Sequence, residues 1–331
     1  MGGLHTAFPM DDMSRVGEAR RFAAQLSANE GFGEVDAGRL ALVVTELGTN
    51  LVKHATGGRL LLSVRRPGAE IEAVSIDAGP GISDIGRCMG DGFSTGGSPG
   101  TGLGALRRMA DDFDIHSSVP GGTVVVARVR REGVAPVEGS IRFGAIALPA
   151  PGETVCGDGW ALAEEGGEVA VLMADGLGHG PQAAEASQAA AAVFGKNPFT
   201  APAAVLEEAH GVLRMTRGAA VTVYKAQATD GTLRSAGAGN VVTRVISGVS
   251  DKTVLSQHGT IGVQVRRIEE VGAEWPPHAV IVTHSDGIQT RWPGSVAAPL
   301  LGRDPTLLAA VLIRDFCRGR DDATVLVLRR N

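Results

Sequence analysis

Apolar residues recur at helical spacing in two early stretches of the chain. Residues 11–28 carry a weak version of the pattern, and residues 35–54 a strong one. In the second, Leu40, Val43, Val44, Leu47 and Leu51 form one stripe, which predicts an amphipathic helix. The period then shortens. Leu60–Val64 and Ile71–Ile76 read as strands joined at a Pro67-Gly68 turn. Residues 78–104 are glycine-rich and almost aperiodic, so the pattern predicts loop there. Leu103–Met109 then starts a helix, and the β-branched Thr123–Val129 reads as a strand.

Residues 132–140 are polar, carry Gly and Pro, and have no period, so they read as a linker. After them the pattern predicts strands at Ile141–Leu148, Gly159–Ala163 and Val169–Met173, then helices at 182–194 and 202–214. Further strands are expected at Ala220–Ala226, Leu233–Ala236, Val241–Ile246 and Val280–Thr283. A helix near 305–316 and a last strand at Ala323–Leu328 close the chain. The fold class is therefore α+β, with a domain over 1–131 and a second, antiparallel one over 141–331.

Composition changes this picture little. The 331 residues are 44% hydrophobic and 20% charged, enough for two cores. A net charge of −5, no basic run and only 4% aromatics argue against a nucleic-acid partner. Three cysteines without CxxC spacing suggest neither a zinc site nor a disulfide framework, and a reducing, cytoplasmic home is expected. No apolar run reaches the roughly 18 residues of a membrane helix, and no signal peptide is evident.

Candidate chemistry falls into two sets. In the first half Glu46 and Asn50 lie four apart, on one helix face, where a carboxylate and an amide suit a general base beside a Mg²⁺ ligand. Asp77-Ala-Gly79-Pro-Gly81 follows a strand; its carboxylate can accept from an exocyclic amine, and its glycines let a flat base approach the backbone. Gly100-Thr101-Gly102-Leu103-Gly104 opens a helix, whose free N–H groups suit phosphate. The run does not follow a strand, so it is not a dinucleotide fingerprint. In the second half the notable residues are aspartates beside glycines at strand ends: Asp158, Asp175, Asp286 and Asp321. Clustered carboxylates repel unless cations join them, and hard oxygen ligands favour Mg²⁺ or Mn²⁺.

The first set, in this order, resembles the GHKL ATPase superfamily, and GTGLGALRRMADDFDIHSSVPGGTVVVARVRR is especially similar to the bacterial switch and anti-sigma serine kinases. The resemblance implies a GHKL (Bergerat) α/β sandwich with Asn50 as Mg²⁺ ligand, Glu46 as the base for a substrate hydroxyl, and Asp77 as adenine reader. Gly79 and Gly81 would flank the adenine, Thr101, Gly102, Leu103 and Gly104 would hold phosphates, and Thr123 would lie near the base. Lys53 and His54 would contact phosphate, and the stretch between Ile82 and Gly100 would be the ATP lid.

The second set, GD, ADGLGHG, SDGI and DDATVLVLR, resembles PP2C-type phosphatases of the SpoIIE branch. That implies a PP2C-like β-sandwich flanked by helices and a two-metal site using Mn²⁺ or Mg²⁺. Asp175 would bridge both ions with the Gly176 carbonyl as a further ligand, Asp286 and Asp321 would complete a shell, and Asp158 would act through bound water. His179 is the candidate proton donor to the leaving serine, and Asp322 is expected to point away.

Both families act on a serine in STAS-domain proteins. The expectation is a bifunctional bacterial partner-switching regulator whose partner is a STAS-domain anti-sigma antagonist or a stressosome-type protein, with a sigma factor or a downstream phosphatase as further partner classes. Two alternatives stay open. The first domain binds ATP or a partner and gates the phosphatase without transferring phosphate, or both sites are degenerate and the chain is a scaffold.

Overall fold

A computed structural model describes residues 3–89, 102–136 and 139–331. The chain divides into two compact units, Gly3–Val137 and Glu138–Asn331.

In the first unit the elements run β1 (Thr6–Pro9), α1 (Met13–Asn29), α2 (Glu34–His54), β2 (Arg59–Arg66), β3 (Glu70–Ile76), α3 (Ile85–Cys88), α4 (Leu103–Met109), β4 (Asp112–Ser118) and β5 (Gly122–Arg130). The strands form one antiparallel sheet in the order β1-β2-β3-β5-β4. α1 begins at Asp12, whose carboxylate accepts from the Ser14 N–H and satisfies one of the free donors of the first turn. The α2 stripe is buried as its spacing predicts: Leu40, Val43, Val44, Leu47 and Leu51 pack with Val16, Ala19 and Ala23 of α1. Against them lie Leu60, Leu62, Ile71, Ala73, Val125, Ala127 and Val129, one side of the sheet. Each buried Leu, Ile or Val among them contributes about 2 kcal/mol of burial, and each Ala less. The aperiodic stretch expected as loop contains α3, a single helical turn capped by Asp84, whose carboxylate accepts from the Arg87 N–H. One turn is too short to leave a periodic signature.

Buried charges are held by pairing. Glu72 on β3 accepts from Arg128 Nε on the neighbouring β5 at 2.6 Å and lies 3.5 Å from His5 Nε2. Burial raises its carboxyl pKa, but Arg128, His5 and Arg65 outweigh burial and hold it down at about 2. A carboxyl lowered from 4.5 to about 2 adds roughly 3 kcal/mol. That stability is complete above about pH 4.5 and is lost as pH falls through about 2. Glu72→Gln removes the carboxylate charge paired with buried Arg128, and urea unfolding at pH 7 is expected to show a loss of about 3 kcal/mol in this unit. The variant's stability should also vary less between pH 5 and pH 2 than the parent's.

The second unit runs β6 (Ile141–Leu148), β7 (Asp158–Glu165), β8 (Glu168–Gly176), α5 (Pro181–Lys196), α6 (Pro202–Leu213), β9 (Ala219–Gln227), β10 (Thr232–Ala238), β11 (Val242–Ile246), β12 (Asp251–Val254), β13 (Gly259–Thr260), β14 (Gln264–Val265), β15 (Val271–Glu274), β16 (Val280–His284), α7 (Pro305–Phe316) and β17 (Ala323–Arg330). Two five-stranded antiparallel sheets, β15-β10-β9-β8-β7 and β12-β11-β16-β17-β6, share a core. From the first sheet Val169, Val171, Met173, Tyr224 and Leu233 meet Ala145, Val245, Ile281, Leu326 and Leu328 of the second. The alternate side chains of β8 and β9, Ala170, Leu172, Ala174, Val221 and Val223, pack outward on Ala186, Ala190 and Phe194 of α5 and on Leu206 and Ala209 of α6. The small alanines let α5 lie close. α7 covers β6 and β17 on the second sheet.

The α+β class and both architectures agree with the sequence expectation. Six short strands were not foreseen beside those that were: β1, β4, β12, β13, β14 and β15.

Candidate functional sites

In the first unit Asp77 follows β3 directly. Its backbone N–H donates to the Thr123 carbonyl (3.0 Å), and its Oδ1 accepts from the Gly79 N–H (2.7 Å), which curls the chain into a tight turn. The turn packs on two sides. Ala78 N–H donates to Thr56 O, and a Cβ on Gly79 would come within 3.3 Å of the His54 carbonyl at the end of α2. On the other side Ser117 Oγ accepts from the Ile82 N–H (2.7 Å) and contacts Thr123 Oγ1 (2.9 Å). Gly122 has φ +83°, and a Cβ there would collide with the Asp77 carbonyl, so the position requires glycine. Asp77, Gly79, Gly81, Thr123 and His54, far apart in sequence, thus meet in one place.

Glu46 and Asn50 lie further back along α2, half-buried, and among the described residues neither side chain makes a hydrogen bond. Burial raises the Glu46 carboxyl pKa, while Lys53 opposes that rise. Lys53 and His54 are exposed in the last turn. Gly102 is the N-cap of α4, and no side chain caps that end. Gly104 is pressed against the Met89 carbonyl, where a Cβ would sit 2.8 Å away. Leu103 is the first residue of α4. Thr101, Gly100 and most of the expected lid lie outside the described residues.

In the second unit the aspartates gather at one edge of the sandwich. Asp158 opens β7 and Asp175 lies near the end of β8, and the antiparallel register makes them direct cross-strand partners. Asp286, two residues after β16, brings its N–H to 3.5 Å from Asp175 Oδ2. Asp321 lies just before β17 and influences both Asp175 and Asp286 electrostatically. Burial first, and then the charge of a neighbouring acid (Asp175 on Asp158, Asp286 on Asp175, Asp321 on Asp286), pushes these three carboxyls above the usual carboxylate range. Among the described residues no three His, Cys, Asp or Glu side chains form a ready metal cage. The oxygen-donor set and the like-charge strain nevertheless fit a divalent cation, because a cation removes the repulsion that raises these groups.

Neighbours missed by sequence reasoning fix this edge. Ser285 Oγ donates to Asp158 Oδ2 (2.6 Å) and accepts from the Thr324 N–H (3.0 Å), bridging both sheets. Asn240 Nδ2 donates to Asp286 Oδ2 (2.6 Å). Asp322 accepts from the N–H groups of Ala150 (2.8 Å) and Gly157 (2.9 Å), so it braces the loop while its charge also acts on Asp158 and Asp175. Gly176 abuts the Ala183 carbonyl so closely that a Cβ would collide. His179, on the loop before α5, places Nδ1 2.8 Å from Glu153 Oε1 and is otherwise exposed. Adjacency to Asp286 was the available signal for Ser285. Glu153 lies 26 residues before His179 and gave none.

An ATPase-type helix-and-sheet unit followed by a sandwich with an acidic edge defines a chain of two enzyme folds. Comparison with known proteins agrees. Residues 9–129 match the histidine kinase-like ATPase domain. Residues 165–331, half of the chain, match Stage II sporulation protein E (SpoIIE). The serine/threonine-protein kinase RsbT of Bacillus subtilis (strain 168) is 34% identical over 111 residues, which are 33% of this chain and 84% of that protein. A solved structure described as part of the bacterial stressosome, a modular system adapted to control secondary messenger signalling, is 26% identical with a TM-score of 0.54, covering 57% of this chain and 99% of that one. RsbX in complex with magnesium, at 19% identity and a TM-score of 0.53 over 59% of this chain and 98% of that one, shares the fold. The chain belongs to the SpoIIE family through its second unit and to the family of RsbT through its first. It is a bifunctional regulator that joins a PP2C-type serine phosphatase to a serine-kinase-like ATPase unit. No described helix is long and apolar enough to cross a membrane.

Proposed function

We propose that the second unit hydrolyses phosphoserine on a STAS-domain protein and that the first unit phosphorylates such a protein from Mg·ATP, in the cytoplasm. The observation that carries the phosphatase reading is the cross-strand pair of buried Asp158 and half-buried Asp175, two acids facing one another, neither of which forms an ion pair with a cationic side chain among the described residues. Asp158, Asp175, Asp286, Asp321 and the Gly176 carbonyl would hold two Mn²⁺ or Mg²⁺ ions. When bound, such ions neutralise phosphate charge and acidify water.

The chain's own groups supply the rest. Ser285 fixes the Asp158 carboxylate, and Asn240 fixes that of Asp286. Glu153 holds His179 by Nδ1, which leaves Nε2 to donate a proton to the departing serine oxygen. In the first unit Asp77 and Thr123 would read adenine, Asn50 would hold Mg²⁺, and Lys53, His54 and residues 101–104 would contact phosphates. Glu46 stands on the Asn50 face with an unengaged carboxylate whose affinity for a proton is raised, which suits a base for a serine hydroxyl. The RsbT likeness supports transfer over mere sensing.

Chelation tests the metal claim. Hydrolysis of p-nitrophenyl phosphate by the full chain is expected to vanish with EDTA and return with Mn²⁺ or Mg²⁺. Full activity in EDTA would exclude the two-metal site.

A further inference from the structure

The turn that enters β9 lies beside the Asp175 loop and carries Arg217. Leu177 N–H donates to the Gly218 carbonyl at 3.0 Å, which stitches the two loops together. Gly218 has φ +82°, and the reciprocal backbone bonds between Ala219 and Ile261 (3.0 and 2.9 Å) hold the turn from its other side. The Arg217 guanidinium is thereby brought 3.3 Å from the position a Cβ on Gly178 would occupy, within the loop Gly176–Gly180. Arg217 is exposed, and among the described residues it makes neither an ion pair nor a hydrogen bond. Glu153, which reaches that loop at Gly180 from the segment between β6 and β7, is occupied by His179. Leu177 and Met215, exposed on the two stitched segments, are apolar, and the exposed Arg214 beside them is itself a cation, so none offers a counter-charge.

We propose that Arg217 is a substrate-recognition residue of the phosphatase unit and takes the phosphate dianion of the phosphoserine substrate. An unpaired guanidinium at the mouth of an acidic site has a physical role there. Two divalent cations would balance the charge of four carboxylates, which leaves the charge of a phosphate dianion to be met by other groups. A planar, permanently charged fork recognises two phosphate oxygens at once. The backbone stitch keeps it at the Asp175 loop, so little order is lost when the substrate arrives. Lysine in its place would keep the charge and lose the fork. Glycine at 178 leaves the space into which the guanidinium reaches.

The inference rests on the phosphatase reading above, and the test separates the two. Steady-state hydrolysis of p-nitrophenyl phosphate is measured in Mn²⁺ for the full-length parent, Arg217→Ala and Arg217→Lys, together with inhibition by inorganic phosphate. Arg217→Ala is expected to raise KM and the phosphate inhibition constant together by about tenfold or more, with kcat changed far less. Arg217→Lys is expected to recover part of both. Far-UV circular dichroism and the Mn²⁺ concentration for half-activity should match the parent, which a merely structural role would not allow. A KM and inhibition constant within about twofold of the parent overturn the inference while leaving the phosphatase reading intact, as does a fall in kcat alone. A parent that hydrolyses nothing overturns the phosphatase reading, and the inference falls with it.

Discussion

Asp175→Asn is expected to abolish phosphatase activity, with a loss of at least about a thousandfold in kcat, while the protein stays folded. Three features put this residue at the centre of the site. It faces Asp158 across the β7–β8 ladder, it lies near the Asp286 backbone N–H, and the charges of Asp286 and Asp321 both act on it. No other aspartate of the set is tied to all the rest in this way. The amide removes the negative charge that a bridging cation needs and keeps the shape. It also relieves repulsion instead of stranding a buried charge, since burial and its acidic neighbours already disfavour ionised Asp175. Activity assays alongside thermal unfolding in EDTA check both halves of the expectation. The variant should match the parent's melting temperature or exceed it without metal, and should lose the parent's stabilisation by Mn²⁺.

Glu46→Gln is expected to cut phosphate transfer from ATP by about a hundredfold to ten-thousandfold, and to change ATP affinity only a few-fold. The side chain lies one helical turn from Asn50, and burial raises its proton affinity. Asp77 and Thr123, where adenine would sit, belong to other elements that Glu46 does not brace. A glutamine keeps the size and removes the base. Isothermal titration with a non-hydrolysable ATP analogue and transfer of labelled phosphate to a STAS-domain protein measure the two quantities separately. Equal loss of both would make Glu46 part of nucleotide binding instead. Unchanged transfer would remove it from the chemistry.

The long helices and central strands were legible because each buries one continuous face. The stripe of α2 is an example: its five named residues all lie in the first unit's core. The strands that escaped the sequence pattern are mostly edges. β1 and β4 flank the first sheet, while β12 and β15 lie at the margins of the other two. An edge strand is half solvated, so its alternation is diluted. In Asp112–Ser118 only Ile115 is fully buried. β13 and β14, two residues each, are too short to show a period.

The acidic edge was legible for a different reason. Asp158, Asp175, Asp286 and Asp321 each stand next to a turn or glycine at the end of an apolar run, and strand ends converge wherever a sheet closes. Their supports were not legible. Ser285, Asn240, Glu153 and Arg217 act through pairs that only the folded register creates, as with the 127 residues that separate Ser285 from its partner Asp158. Asp322 could be set apart from Asp321 by strand alternation, and its role as a brace between Ala150 and Gly157 emerged only from the fold.

The central claim is that one chain both adds and removes phosphate on a serine of the same class of protein. A time course of label on a STAS-domain protein from the same genome, supplied with γ-labelled ATP, Mg²⁺ and Mn²⁺, tests it most directly. With the parent, label is expected to rise and then fall as ATP is exhausted. With Asp175→Asn it should rise and stay, and with Glu46→Gln it should barely appear. No label on any STAS-domain substrate with Asp175→Asn, from a protein that binds ATP, would contradict the kinase half. Label that persists equally with the parent and with Asp175→Asn would contradict the phosphatase half.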